Sequence, residues 1–117
     1  MNHTLKDIAY ARSGDKGRHA NIGLIALTDA GYEFLTQHVT AERVHTFFQA
    51  LPVTDVVRYE LPNLGALNFV LHGILGQGGS QSLAIDAQGK ALGQALLTMP
   101  IEITDRDLSR AQPEVTS

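Results

Sequence analysis

The sequence predicts an α+β fold, a two-layer sandwich with helices on one face of a mostly antiparallel sheet. Three observations predict it. Segments of strand periodicity and of helix periodicity neither alternate strictly nor segregate along the chain, which argues against a doubly wound parallel sheet. The 117 residues match one compact domain. A composition of 44% apolar and 18% charged residues is that of a globule with a core of its own, needing no metal or disulfide to fold.

The elements follow in order. In "LKDIAYAR" (Leu5–Arg12) alternation sets Lys6, Ile8 and Tyr10 against Leu5, Asp7, Ala9 and Ala11, the pattern of a strand. "NIGLIAL" (Asn21–Leu27) is short and almost continuously apolar, as in a central strand covered on both faces. Thr28 or Asp29 caps a helix through "AGYEFLTQHV". Thr40 caps a second, "AERVHTFFQAL", in which Val44, Phe47, Phe48 and Leu51 form an apolar stripe ended by Pro52. "TDVVRYEL" reads as a third strand with one wetter face. In "PNLGALNFVLHGILGQGG", Leu67, Val70, Leu71 and Ile74 have helical spacing, with Asn63 as cap and Gly76 as stop, so a helix is expected over 65–75. "SQSLAID" reads as the fourth strand, and "GKALGQALLTMP" as a last helix with Leu92, Leu96 and Met99 on one face. From Thr104 the chain turns polar. Residues 1–103 are therefore expected as the domain and 104–117 as a flexible tail. The nearest simple topology is ferredoxin-like.

Composition narrows the function classes. A formal charge of −3 without a basic cluster gives no support to nucleic-acid binding. Without cysteine, thiol catalysis, disulfides and Cys-based zinc sites are excluded. "MNHTLKD" lacks the pattern of a signal peptide and no apolar run reaches the roughly 20 residues of a membrane span, so a cytoplasmic protein with no membrane partner is expected.

The residues with most chemistry lie in "ARSGDKGRHAN". Gly14 and Gly17 permit backbone geometries that turn successive N–H groups to one side; Ser13 adds a hydroxyl, and Arg12, Lys16 and Arg18 add positive charge. These are the parts of an anion cradle for carboxylate or phosphate. The spacing is neither that of a phosphate-binding P-loop nor that of a dinucleotide fingerprint. The same residues also make a hydrophilic hairpin with Asp15 and Lys16 in water, and residue chemistry alone leaves both readings open. The five histidines are scattered, with no i, i+4 pair and no cysteine, so no metal site is expected. His72 stands in an apolar segment four residues after Asn68. It reads either as a satisfied core or boundary side chain or, if it lines a pocket, as a group suited to proton transfer. Asn21 and Asn63 are polar groups at element ends, with a capping role as the alternative. "GQGGSQS" is a linker or a second wall of the same site.

Taken together, "ARSGDKG", "ANIG", "RYELPNL", "ALNFVLHG" and "DAQGKALGQALLTMPI" resemble the ferredoxin-fold domain of the acyclic terpene utilization AtuA-like proteins, from about Leu5 to Ile101. In that family the domain ends a larger protein or stands as a separate short chain, and it is associated with catabolism of acyclic isoprenoids and related branched acyl compounds. The resemblance carries Ser13, Gly14, Asp15, Lys16, Gly17 and Asn21 as one motif and Asn63, Asn68, His72 and Gly73 as a second. Arg18 stands where the family often has an acidic or small polar residue, making this copy more basic. What the resemblance implies is a small accessory subunit that partners a large AtuA-like chain, holds a small anionic ligand such as a coenzyme A thioester, and needs no resident cofactor. Two other readings stand beside it. One is a self-sufficient hydratase, isomerase or lyase with His72, Lys16 and Asp15 as catalytic candidates. The other is a structural oligomerisation domain, and homo-oligomers are expected under all three.

Overall fold

The computed structural model describes residues 3–16, 19–73 and 92–113, with Asp15 and Lys16 described in their backbone only. Its centre is a four-stranded antiparallel sheet of β2 (Ala9–Lys16), β3 (His19–Ala26), β4 (Asp55–Leu61) and β5 (Ala66–His72), in the order β2-β3-β5-β4. A short ribbon pairs β1 (His3–Thr4) with β6 (Pro100–Ile101). Helices α1 (Asp29–His38) and α2 (Ala41–Phe47) link β3 to β4, and β5 then inserts between those two strands, the split strand–helix–strand unit of a ferredoxin-like fold. The edge beside β3 is filled by β2, its own hairpin partner. Helices α3 (residues 92–96) and α4 (Asp105–Ala111) complete the described chain.

Among the described residues only one face of the sheet is covered. Alternation along β3 buries Ala20, Ile22 and Leu24, and along β5 Leu67, Phe69 and Leu71. These meet Leu35 and Val39 at α1, Val44 and Phe48 at α2, and Leu92, Leu96 and Met99 at α3 in a single cluster. Both expected caps form: Thr28 accepts from the Gly31 N–H at 2.9 Å and Thr40 from the Arg43 N–H at 3.1 Å. The Arg58 guanidinium, crossing from β4, donates to the Thr36 and Val39 carbonyls at 2.9 and 3.1 Å and so closes the free carbonyl end of α1.

Several expectations are corrected. Residues 66–72 are not helical: β5 spans Ala66–His72, and the period-two burial of Leu67, Phe69 and Leu71 prevails over the helical spacing read from Leu67, Val70 and Leu71 because both flanking strands supply ladder partners. Asn63 caps no helix there; it lies in a 3₁₀ turn, Pro62–Leu64, which Gly65 leaves through a left-handed φ of +60°. Among the described residues "NIGLIAL" is covered on one face only. The first strand breaks up, since Leu5–Asp7 form a 3₁₀ turn whose Leu5 and Lys6 N–H groups donate to the Met99 and Leu97 carbonyls at 3.1 and 3.0 Å. Within the expected tail, residues 105–111 form α4, capped by Thr104 and seated on α1, where Thr28 Oγ1 donates to the Arg110 carbonyl at 2.8 Å. The strand expected at "SQSLAID", the Gly-rich "GQGGSQS" and the last four residues lie outside the described residues.

Candidate functional site

The anticipated binding loop is largely strand. β2 continues to Lys16 and β3 resumes at His19, so Ser13, Gly14, Asp15 and Lys16 belong to a hairpin arm and pair with Ile22, Asn21, Ala20 and His19. Residues opposite one another in register share a face, which sorts the candidates. On the face away from the helices, four rows cross the sheet in the order β2, β3, β5, β4. Tyr10, Ile25, Ala66 and Leu61 make an apolar row. Arg12, Gly23, Asn68 and Tyr59 come next, followed by Gly14, Asn21, Val70 and Val57. The last row holds His19, His72 and Asp55, with the Lys16 backbone paired to His19.

An open cleft of about 520 Å³ lies on this face, within the size range of small-molecule sites. Tyr10, Ile25, Leu61, Leu64 and Ala66 make its apolar end, and Arg12 and Asn21 its polar end. Two glycines make room for it. A Cβ on Gly23 would meet nothing nearer than the Arg12 carbonyl at 3.8 Å, and one on Gly14 would come 3.4 Å from Asn21 Oδ1. A strand interior gains stability from side chains, so a glycine in the middle of β3 and another in β2 mark a place kept bare for an approaching group. Beside the cleft Asn21 Nδ2 donates to Asn68 Oδ1 across the β3–β5 ladder at 3.4 Å. The exposed Arg12 guanidinium has no hydrogen-bond or ion-pair partner among the described residues and is free to take an anion.

The structure therefore brings Arg12, Gly14, Asn21, Asn68 and His72 to one face and separates others from them. Ser13 borders the cleft, yet its hydroxyl points to the helix side, where a Cβ on Gly93 of α3 would sit 3.2 Å from Ser13 Oγ. Asn63 is exposed in the turn between β4 and β5 and does not line the cleft. The side chains of Asp15 and Lys16, and Gly17 and Arg18 as a whole, lie outside the described residues. Sequence reasoning missed Tyr10, His19 and Gly23. The last two stand two residues either side of Asn21, so strand parity alone would have placed them on its face. His19 and His72 meet edge to face with ring centroids 4.3 Å apart. His45, by contrast, is a structural side chain whose Nε2 donates to the Val53 carbonyl at 3.2 Å. Among the described residues no group of three or more His, Cys, Asp or Glu is placed to hold a metal ion, and no helix is long and apolar enough to cross a membrane.

Compared with known proteins, residues 3–102 match the family model described as the AtuA ferredoxin-like domain. No curated protein and no solved structure matches the chain.

Proposed function

Since the chain belongs to the family of AtuA ferredoxin-like domains, we propose that it is the small binding subunit of a system that breaks down branched acyl compounds, and that the cleft on the open sheet face holds the ligand. The ligand class that fits is amphipathic: a branched apolar chain against Tyr10, Ile25, Leu61 and Leu64, and an anionic head at Arg12 and Asn21. The observation that carries this reading is the bare backbone floor at Gly14 and Gly23, set between an apolar end and a guanidinium with no partner among the described residues. An acyclic branched carboxylate or its coenzyme A thioester has this chemistry. A large AtuA-like chain is the proposed partner, and Tyr59, 52% exposed beside the cleft, is the apolar contact offered to it.

Calorimetric titration with a branched ten-carbon carboxylate and with its coenzyme A thioester tests the ligand reading. Replacing Arg12 by Ala removes a charged hydrogen-bond donor from the head group and weakens binding by about tenfold or more. Binding unchanged in Arg12→Ala, or no binding of either compound to the native chain, contradicts the proposal.

A further inference from the structure

We infer that His19 and His72 form a metal-binding pair at the polar end of the open sheet face, for a borderline divalent ion of the Zn²⁺, Ni²⁺ or Cu²⁺ class. The two residues are far apart in sequence, but β3 and β5 run antiparallel with Ala20 opposite Leu71, and the next residue of each strand is a histidine on the same face. Their rings already touch, centroids 4.3 Å apart and planes at 69°. Two imidazoles on one tetrahedral ion, each with a nitrogen about 2.0–2.1 Å from it, bring those nitrogens to about 3.3 Å from each other. Rings in contact from adjacent strands reach that geometry by side-chain rotation alone, with the backbone fixed by the ladder.

The second observation is an unsatisfied nitrogen. His19 Nδ1 is shut off from water and has no hydrogen-bond partner among the described residues. A buried polar atom left in that state costs about 1–3 kcal/mol, and such an atom in a folded protein points to a missing ion or water. Among the described residues no hydrogen bond holds either ring of the pair, unlike that of His45, whose Nε2 donates to the Val53 carbonyl. Neutral imidazole nitrogens are favoured ligands of these metals. Asp55 of β4 stands opposite His72 in register and is exposed, so its carboxylate is available to orient the His72 ring.

Two histidines fall short of the three protein ligands of a catalytic zinc site, so the ion is exchangeable and keeps positions open. Asn21 is two residues from His19 on the same face, about 7 Å along the strand, which sets the ion beside the polar end of the cleft. An anionic group reaching past Asn21 would complete its coordination.

The test uses the full chain, treated with chelator and titrated with zinc chloride in a calorimeter. The expected result is one ion per chain, with affinity lower by about tenfold or more in His19→Ala and in His72→Ala and unchanged in His38→Ala, a histidine on α1. In the unsubstituted chain, Ni²⁺ should broaden the NMR signals of His19, His72 and Asp55 before any others, a readout that does not depend on the variants folding. No binding, binding that survives both substitutions, or broadening centred on His3, His38 or His45 would overturn the assignment. Failure of the branched carboxylate to bind bears on the cleft and leaves this result untouched.

Discussion

Gly23 is the residue on which the account of the cleft turns. In a central strand a glycine forgoes cross-strand packing and adds chain entropy to the unfolded state. Space does not demand it, for a Cβ there meets only ordinary contacts at 3.8 and 3.9 Å. Gly23→Val should therefore fold as well as the native chain or gain up to about 1 kcal/mol in urea unfolding, while the branched side chain fills the floor and abolishes binding of the carboxylate. A loss of stability would mean the glycine serves the fold instead. The types of the site residues were legible in the sequence, and their facing was not. Arg12, Gly14, Asn21, Asn68 and His72, singled out for their chemistry, lie on one face of the sheet. Ser13, chosen on the same grounds, turns to α3, because one step along a strand reverses the face.

At the scale of elements, the capped helices α1 and α2 were readable because Thr28 and Thr40 announce them locally. β5 was misread because Leu67, Val70, Leu71 and Ile74 satisfy a helical template by coincidence, while the partners that make the segment a strand lie in β3 and β4. α4 was missed because its polar surface looks like tail; it is held by the tight seat at Gly31, where a Cβ would lie 3.4 Å from the Ala111 carbonyl. Arg58 shows how one side chain joins elements, since its guanidinium bonds two carbonyls of the α1 end and Glu60 Oε2 at 2.9 Å. Arg58→Ala should lower unfolding free energy by about 2 kcal/mol, and Arg58→Lys should recover only part, an ammonium being a poor match for the forked geometry. Equal stability of all three chains in urea would show that α1 ends without help from β4.

Across the whole molecule, the described residues divide into a face that holds the fold and a face left open for use. Every helix lies on the first, and the single core is built there from alternate residues of β3 and β5. The second carries the glycine floor, the Asn21–Asn68 pair, the free Arg12 and the paired histidines, and none of its polar side chains is fully buried. A split strand–helix–strand unit with a hairpin on its edge produces this division, because it spends all its helices on one side. The most direct test of that claim is NMR mapping of amide shifts while the native chain is titrated with the branched ten-carbon carboxylate. Shifts concentrated at Arg12, Gly14, Asn21, Gly23 and Asn68, with α1 and α2 unmoved, are the result expected. Shifts confined to the helical layer, or spread evenly over both faces, would contradict it.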